Sequence, residues 1–319
     1  MGSPRISSYT AGDECDVAAA LNAAYATLRE LPRLDVEGEE YPDLRPEDLA
    51  RELDRGESWA DGTFLARVDG RPVAAVLTAA HREAQRCRIR RLGTHPAHVR
   101  RGYGAGLLRA VEDAARRAGM RRLEAAHPVD SRSASATRLL ESYGFVRPNP
   151  EQQNVTMVLD LNAYGPTVPV LPAGYAIRAF RPGEEAQWVA LKNRVFGEGA
   201  TVEWFWERFR GRPNFDPASW FVAERDGELV GMAGVITWYD DEALARPRGA
   251  VLEWVGVVEE ARGQGLGAAL VRACLNYARP RRPEPLILIT QPFRTAAVAL
   301  YRKLGFEVAR EHRAYTKDL

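Results

Sequence analysis

The two halves of this 319-residue chain carry the same series of sequence patterns. Residues 63–70 read Thr-Phe-Leu-Ala-Arg-Val-Asp-Gly, and residues 220–227 read Trp-Phe-Val-Ala-Glu-Arg-Asp-Gly. Each is an apolar strand pattern that ends in an Asp-Gly pair, which is typical of a β-hairpin turn. Residues 107–111 match residues 270–274 in the same way. Because only two copies are present, the repeat predicts a duplicated domain and not a solenoid.

A stretch with three prolines between residues 161 and 174 separates the two copies. We therefore expect an N-terminal domain over residues 1–160, a linker over 161–173 and a C-terminal domain over 174–319. Each half reads helix, helix, strand, hairpin strand, strand, glycine turn, helix, strand, helix, strand. This order predicts an α/β fold in which each domain has a mixed, mostly antiparallel sheet with helices on both faces.

Composition excludes several classes of protein. The chain is 45% hydrophobic and 27% charged with a net charge of +1, whereas a dedicated nucleic-acid binder normally has a basic excess. No apolar run approaches the length that spans a bilayer, and the N-terminus has no secretory pattern, so we expect no membrane partner and a cytoplasmic protein. Cys15, Cys87 and Cys274 are far apart and predict neither a metal site nor a disulfide.

A glycine-rich turn in the second half predicts an anion site. Residues 262–267 read Arg-Gly-Gln-Gly-Leu-Gly, follow the strand pattern of residues 251–257 and precede a helix expected over 268–278. Glycines let backbone N–H groups turn toward a ligand, and a helix N-terminus adds partial positive charge. The turn lacks the Lys-Ser/Thr ending of an ATP-binding loop and comes late in its domain. We expect it to hold a pyrophosphate.

The spacing of Arg262, Gly265 and Gly267 resembles the signature of the GCN5-related N-acetyltransferases (GNATs), whose loop holds the pyrophosphate of acetyl-CoA. The resemblance covers nearly the whole chain, and the tandem arrangement is similar to the mycothiol-synthase type. It implies acetyl-CoA as co-substrate, no metal, and acetyl transfer to a primary amine of a small molecule or peptide by direct attack in a ternary complex. The alternative function is a non-catalytic acyl-CoA-binding or regulatory module.

The resemblance also implies which residues of the second half bind the cofactor. The backbone of the strand around Gly256 pairs with the pantetheine arm in the family, and glycine there suits either a bulge or the close approach of a ligand. Arg294 stands where the family usually has Asn. The implied cofactor-binding residues are Val255, Val257, Arg262, Gly263, Gln264, Gly265, Leu266, Gly267, Ala268 and Arg294.

Tyr301 lies at the position that, in many family members, protonates the departing CoA thiolate. The segment from Arg294 to Phe306 carries the motif around it, with Leu300 and Gly305 at matching spacing. A phenol near a sulfur leaving group can act as a general acid. The alternative interpretation is a core aromatic.

Glu253 is the candidate base that removes a proton from the acceptor amine. It lies in an apolar strand, which should raise its pKa, and strand alternation places it on the face of Val251, Val255 and Val257. Mycothiol-synthase-like relatives carry their acid one pleat earlier, where this chain has Val251. The alternatives for Glu253 are therefore amine binding or a structural pair with an arginine. His312 on the last strand is a weaker candidate base, and the pattern favours a surface histidine there.

The first half has the glycines but not the functional side chains. Gly102 and Gly104 align with Gly265 and Gly267, and we count both as candidate cofactor contacts because backbone N–H groups do most of the binding. In this register Val99 replaces Arg262, Arg90 replaces Glu253, and Leu140 replaces Tyr301. We expect structural support or residual cofactor binding from this half, and not turnover.

Two segments of the second half are candidates for the acceptor side. Residues 202–209 form an aromatic-rich helix pattern, which predicts core packing with one or two rings lining the substrate. Asp240, Asp241 and Glu242 would attract a cationic amine or simply form a polar turn.

Overall fold

The computed structural model describes residues 5–31, 34, 42–197, 199–210, 215–241 and 246–319, with only the backbone described at 126–129, 152, 210, 239–241 and 246–248. The chain forms two compact units. Among the described residues, unit 1 contains 5–31, 42–154 and 310–319, and unit 2 contains Leu34 and the described part of 155–309.

Unit 1 is a mixed sheet with strand order β1-β2-β3-β4-β5-β12. Its helices are α1 (Glu14–Arg29), α2 (Pro46–Asp54), α3 (Tyr103–Arg117) and α4 (Ala134–Ser142). Its strands are β1 (Arg5–Ser8), β2 (Phe64–Val68), β3 (Arg71–His81), β4 (Arg86–Thr94), β5 (Arg122–Asp130) and β12 (Glu307–Asp318). The β4–β5 pair is parallel, and the neighbouring pairs are antiparallel.

Unit 2 repeats this architecture with strand order β6-β11-β10-β9-β8-β7. Its helices are α5 (Glu185–Phe196), α6 (Val202–Phe205), α7 (Leu266–Ala278) and α8 (Thr295–Lys303). Its strands are β6 (Val155–Leu159), β7 (Tyr175–Ala179), β8 (Trp220–Arg225), β9 (Glu228–Asp241), β10 (Arg246–Val257) and β11 (Leu286–Thr290). The expected mostly antiparallel sheet is confirmed in both units, since among the strand pairs of the described residues β4–β5 and β10–β11 are parallel and the others named here are antiparallel.

The Asp-Gly turns form as the sequence predicts. Asp69 and Gly70 have φ of +50° and +77°, and Asp226 and Gly227 have φ of +50° and +85°. Two successive left-handed residues are what a two-residue hairpin of type I′ requires. The short first strand of each half, β1 and β7, is absent from the predicted order. Both lie at a sheet edge and have five residues or fewer, too few for a clear alternating pattern.

The last strand of each half completes the sheet of the other unit. Strand β6 pairs antiparallel with β11, from Leu159 opposite Leu286 to Val155 opposite Thr290. Strand β12 pairs antiparallel with β5, with Asp318 opposite Arg122. The limits 1–160 and 174–319 therefore describe the sequence repeat, whereas the packed units exchange these strands. Two copies of one pattern offer two similar sheet edges, and the sequence pattern does not distinguish them.

Buried side chains anchor the exchanged strands. On β12, Tyr315 is 1% exposed and its hydroxyl donates to Glu141 at 2.8 Å. Lys317 Nζ lies 2.6 Å from Glu112 Oε2 on α3. On β6, Met157 is fully buried in the core of unit 2. Each strand thus contributes to the core of the unit it joins and not to that of its own sequence half.

The strand exchange predicts which unit each core substitution weakens. Tyr315→Ala should loosen unit 1, and Met157→Ala should loosen unit 2, each by about 2–5 kcal/mol for a large-to-small core change. Hydrogen exchange measured by mass spectrometry should show faster exchange in α3 for the first variant and in α7 for the second. The two variants serve as controls for each other. Faster exchange in α7 caused by Tyr315→Ala would contradict the exchanged arrangement.

Candidate active site

The glycine turn of unit 2 has the conformation expected of an anion-binding loop. Gly263 and Gly265 have φ of +76° and +81°, in the left-handed region that a residue with a Cβ rarely adopts. Gly265 is the N-cap of α7, and Leu266 directly after it is 1% exposed. The loop is exposed, whereas Leu266 fixes the helix to the core. The first N–H groups of α7 have no acceptor within the helix and are available to a ligand.

Two side-chain hydrogen bonds hold this loop in place. Arg262 Nε donates to the carbonyl oxygen of Val257 at 3.1 Å, which ties the loop to the end of β10. Gln264 Nε2 donates to the hydroxyl of Tyr175 at 3.2 Å. Arg225 Nη1 donates to the same hydroxyl at 3.3 Å. Sequence reasoning missed Tyr175, because it lies on the short edge strand β7, 89 positions away from Gln264.

Strand β10 is bulged against β9 and separates from β11 before it reaches the loop. Against β9, Glu253 lies opposite Gly234 and Gly256 opposite Met232, so β10 contains one extra residue between them. Trp254, in this bulge, has φ of +56°. Against β11, β10 pairs only at Ala250 and Val251, and the later residues of both strands, all described, form no further pairs. The part of β10 after Val251 therefore has no partner on β11, and this part of the strand leads into the glycine turn.

The bulge changes which face each residue occupies. On β9, Ile236 is the partner of Val251 and Gly234 is the partner of Glu253. Because the two partners are two residues apart, Glu253 and Val251 lie on the same face of the sheet. Val257 lies opposite Gly231, and a Cβ placed on Gly231 would contact Leu270 of α7 on the other face. The prediction that Val257 shares the face of Glu253 is therefore wrong, because one extra residue reverses the alternation.

Gly256 is needed for the approach of a helix. A Cβ placed there would lie 2.3 Å from Val195 Cγ1 on α5, far inside van der Waals contact. Unit 1 has the same arrangement, since a Cβ on Gly93 would lie 2.4 Å from the Cβ of Ala24 on α1. The sequence offered two explanations for glycine at position 256, a bulge or the close approach of a ligand. The structure has the bulge, and the element that approaches Gly256 closely is the helix α5.

Glu253 is half-buried, and its Oε2 atom is enclosed by protein. It faces the side of the sheet that carries α5. A Cβ placed on its strand partner, Gly234, would meet the ring of Trp220, which packs against Trp188 of α5. The alternative base, His312, pairs with Asp130 and belongs to unit 1. His312 is partly exposed, and it belongs to unit 1 because of the exchange of β12, whereas Glu253 belongs to unit 2.

Tyr301 lies on α8 and is 7% exposed. Burial raises the pKa of its hydroxyl to about 12, with a further increase from Cys274 and an opposing decrease from the nearby Arg294 guanidinium. Its ring packs edge-on against Phe306 at 5.9 Å. The preceding residue, Leu300, lies 3.6 Å from where a Cβ on Gly267 would be, so α8 packs against the first turn of α7.

Arg294 is the exposed N-cap of α8. Its Nε donates to Gln291 Oε1 at 2.8 Å, and its guanidinium lies 5.5 Å from the ring centre of Phe293. The side chain therefore lies at the exposed end of α8, on the helix that carries Tyr301.

Unit 1 has the loop conformation with different side chains. Arg100 and Gly102 have φ of +58° and +85°, which matches Gly263 and Gly265. A Cβ on Gly104 would lie 2.7 Å from Leu139 Cδ2, so α4 packs closely against this glycine of α3.

The replaced positions in unit 1 have structural partners. Arg90 Nη1 lies 2.6 Å from both Glu52 Oε2 and Ser58 Oγ, so an internal ion pair occupies the place of Glu253. Leu140 is buried in the core, and Val99 is 48% exposed.

The aromatic segment of the acceptor side is partly core. Phe205 and Phe209 are each 1% exposed, as predicted for core packing, whereas Trp204 and Trp206 are half-buried. The helix α6 ends at Phe205 and continues as a π-helical turn over Trp206–Arg210. The side chains of Asp240 and Asp241 and the whole of Glu242 lie outside the described residues.

Neither a metal cluster nor a membrane-spanning helix occurs among the described residues. They contain no group of three or more His, Cys, Asp or Glu side chains arranged to hold a metal ion. No helix among them has the length and apolar character to cross a membrane.

The model of the acetyltransferase (GNAT) family matches this chain twice, over residues 25–145 and 186–306. The chain belongs to the GNAT family. It is an acetyltransferase that uses acetyl-CoA as co-substrate and transfers the acetyl group to an amine. The non-catalytic alternative is not favoured. The family fold accounts for the shared bulge and glycine turn of the two units.

Several relatives are tandem or mycothiol-related acetyltransferases. The chain is 37% identical over 220 residues to a mycothiol acetyltransferase of Thermobispora bispora, covering 67% of this chain and 71% of that protein. It is 31% identical over 249 residues to one of Streptomyces griseus, covering 76% of each.

Two solved structures share the fold over 99% of this chain with a TM-score of 0.57. One is a GCN5-related N-acetyltransferase from Sphaerobacter thermophilus, which is 21% identical and of which 95% of the chain is covered. The other is a tandem GNAT protein from the clavulanic acid biosynthesis pathway, which is 20% identical and of which 98% of the chain is covered.

The contact between Gly256 and α5 predicts a compensating pair of substitutions. Gly256→Ala should destabilise the protein by about 1–3 kcal/mol, as overpacking does, because its methyl group would overlap Val195. Val195→Ala in the same chain removes the overlapping Cγ1 and should restore part of that loss. Thermal unfolding of the wild type, both single variants and the double variant gives the coupling energy. Additive effects would contradict direct contact between these residues.

Proposed function

We propose that unit 2 is the catalytic unit and that the amine of a small-molecule acceptor attacks acetyl-CoA directly in a ternary complex. The observation that carries this proposal is the glycine turn of residues 262–267 joined to the bulged end of β10. The turn supplies N–H groups for a pyrophosphate, and the gap between β10 and β11 supplies unpaired backbone for an extended arm. Both features occur on one continuous segment.

The cofactor would bind mainly through backbone groups. We assign the pyrophosphate to the N–H groups from Gly263 to Ala268, which include those of Gln264, Leu266 and Gly267. Arg262 donates a hydrogen bond from Nε to the carbonyl oxygen of Val257, so its role is to hold the loop. The residue is otherwise exposed to solvent. Val255 and Val257 would pair with the pantetheine arm, and an N–H of this segment would stabilise the thioester oxyanion. Arg294 would add positive charge at the N-terminal end of α8.

Acid and base roles follow from the environments of two side chains. The burial that raises the pKa of Tyr301 to about 12 keeps its hydroxyl protonated at neutral pH, as a donor to the CoA thiolate must be. Glu253, on the α5 face of the bulged strand, would accept the proton of the amine or hold the amine as a cation. Both roles require a carboxylate at this position.

We propose a non-catalytic role for unit 1. It has the glycine loop of Gly102 but carries Arg90 in an ion pair where unit 2 has Glu253, and Leu140 where unit 2 has Tyr301. Such a unit has no side chain to move a proton at these positions. Structural support, with residual binding of the cofactor through Gly102 and Gly104, is the role that these residues allow.

For the acceptor, we propose a small-molecule primary amine related to that of the mycothiol acetyltransferases. Identity of 31–37% to those enzymes supports this class over a peptide amine or a nucleic acid. The net charge of +1 offers no excess of positive charge for a polyanion. Acetyl-CoA as co-substrate favours the cytoplasm as the place of reaction. A free-thiol release assay with small amines and with peptide amines, compared at equal concentrations, tests this choice.

The two glycine loops give a test of the catalytic unit. Gly265→Asp places a negative charge and a Cβ where phosphate should approach, so acetyl transfer should fall to near background. Gly102→Asp makes the same change in the matching loop of unit 1 and should leave turnover nearly intact. Calorimetric titration with acetyl-CoA and a turnover assay should both be run. Equal loss of turnover in the two variants would contradict the assignment of catalysis to unit 2.

Tyr301→Phe tests the general acid. The variant keeps the ring that packs on Phe306 and should lower kcat by about 10²–10³ while acetyl-CoA affinity and thermal stability stay close to wild type. Because its raised pKa keeps Tyr301 neutral, the wild-type kcat should show no decline from this group between about pH 7 and pH 10. Unchanged kcat in the variant would make Tyr301 a core aromatic and water the proton donor.

A further inference from the structure

Lys192 is a cation enclosed by aromatic rings. It lies on α5, is 1% exposed, and its Nζ is 4.6 Å from the ring centre of Trp204 and 5.0 Å from that of Trp254. Taking a cation out of water is unfavourable unless other groups compensate. Aromatic faces within about 6 Å provide such compensation, and it is stronger when the cation is desolvated. Lys192 is therefore attracted to the residue that forms the bulge of β10.

Trp254 has a backbone conformation that a bulky side chain rarely adopts. Its φ of +56° lies in the left-handed region. Such residues persist when their surroundings hold them, and they cluster at functional sites. Four rings surround Trp254 with centres 5.7–6.2 Å away, and these belong to Trp188, Phe196, Trp204 and Phe209. Among the described residues its buried Nε1 has no hydrogen-bond acceptor, so ring packing holds the indole.

One face of α5 contacts the whole bulge. Lys192, Val195 and Phe196 have the spacing i, i+3, i+4 and therefore lie on the same side of the helix. Val195 closes on Gly256, while Phe196 and Lys192 lie against Trp254. Three residues of α5 thus hold two residues of β10, Trp254 and Gly256.

Unit 1 offers an internal comparison at the same contact. Around Gly93, α1 presents Leu21, Ala24 and Tyr25 with the same spacing, and their nearest atoms lie 3.5, 2.4 and 3.6 Å from a Cβ placed there. Leu21 therefore occupies the position of Lys192.

The bulge of unit 1 differs as well, since its extra residue is Arg90, which lies between the paired residues Ile89 and Arg91. Arg91 stands two residues before Gly93, where unit 2 has Trp254, and it does not have a positive φ. The enclosed cation and the left-handed bulge residue occur together in unit 2, the unit that has Glu253 and Tyr301. Neither occurs at the matching positions of unit 1.

We propose that Lys192 is a positioning residue that clamps Trp254 in its left-handed conformation and thereby fixes the β10 backbone that receives the thioester arm of acetyl-CoA. The clamp itself rests on the contacts above, and its effect on the cofactor rests on the function proposed for β10. Lys192 does not need to touch the cofactor. Its action passes through the rings of Trp254 and Trp204 to the backbone of Val255.

The test uses the full chain and the variant Lys192→Met, which keeps length and flexibility but removes the charge. Peptides covering residues 250–257 should exchange their amide hydrogens at least about threefold faster, and the acetyl-CoA dissociation constant should rise about tenfold by calorimetry. The thermal midpoint should stay unchanged or increase, because replacing a buried charge with an apolar group is often neutral or stabilising. A residue with only a packing role would show the opposite pattern, lower stability with normal affinity.

Two further variants complete the design. Leu21→Met is the matched change in unit 1 and should alter neither exchange in β10 nor acetyl-CoA affinity. Lys192→Arg keeps a cation that can stack on the rings and should restore most of the affinity. Loss of affinity in the arginine variant equal to that in the methionine variant would overturn the role of the charge.

The remaining outcomes separate the clamp from the proposed function. Unchanged exchange of β10 in Lys192→Met overturns the clamp. Faster exchange with unchanged acetyl-CoA affinity overturns the positioning role but leaves the acetyltransferase site intact. Failure of the wild type to bind acetyl-CoA, or binding that survives Gly265→Asp, overturns the proposed site in unit 2, while the exchange measurement still decides the clamp.

Discussion

The close approach of a helix to a glycine in the central strand is the constraint on which the rest of each unit depends. In unit 2 the helix is α5 and the glycine Gly256, and in unit 1 they are α1 and Gly93. The space that a side chain would take is filled by the helix, and the strand that contains the glycine has one extra residue close to this point. The bulge ends regular pairing, and the strand leaves its parallel neighbour. Next to the cofactor loop, this leaves backbone groups that no strand partner uses, and such groups can be satisfied by a ligand.

The two units combine the same backbone arrangement with different side chains. Unit 1 has the glycine contact, the bulge and the two left-handed loop residues, Arg100 and Gly102. At the candidate base position, however, it carries Arg90, whose charge is satisfied by Glu52. A family fold therefore does not by itself imply activity, since activity depends on a few side chains. In unit 2 Tyr301 is buried, Glu253 is half-buried and the glycine turn is exposed, which fits the roles proposed for them as proton donor, proton acceptor and anion contact.

Electrostatic interactions in this protein act mainly at short range. The net charge is +1, yet individual cations occupy specific enclosed positions. Lys192 lies between tryptophan rings, Lys317 of β12 pairs with Glu112, and Arg90 pairs with Glu52. Partly enclosed pairs are screened less than surface pairs, so they hold particular elements in place. Each of these cations fixes a different element, namely the bulge of β10, the exchanged strand β12 and the helix α2.

The sequence by itself determined the duplication, the hairpins at Asp69-Gly70 and Asp226-Gly227, the glycine turn and the family. These are local patterns, in which neighbouring residues dictate backbone geometry. Tertiary structure alone decided the features that depend on contacts between distant residues. The exchange of β6 and β12 assigned His312 to unit 1 and not to the unit of Glu253, because two similar sheet edges compete for similar strands. The bulge at Trp254 reversed the face of Val257, because an inserted residue changes alternation without changing composition. The anchoring of Gln264 by Tyr175 and the enclosure of Lys192 by tryptophans arise from packing across the unit, for which a linear pattern carries no signal.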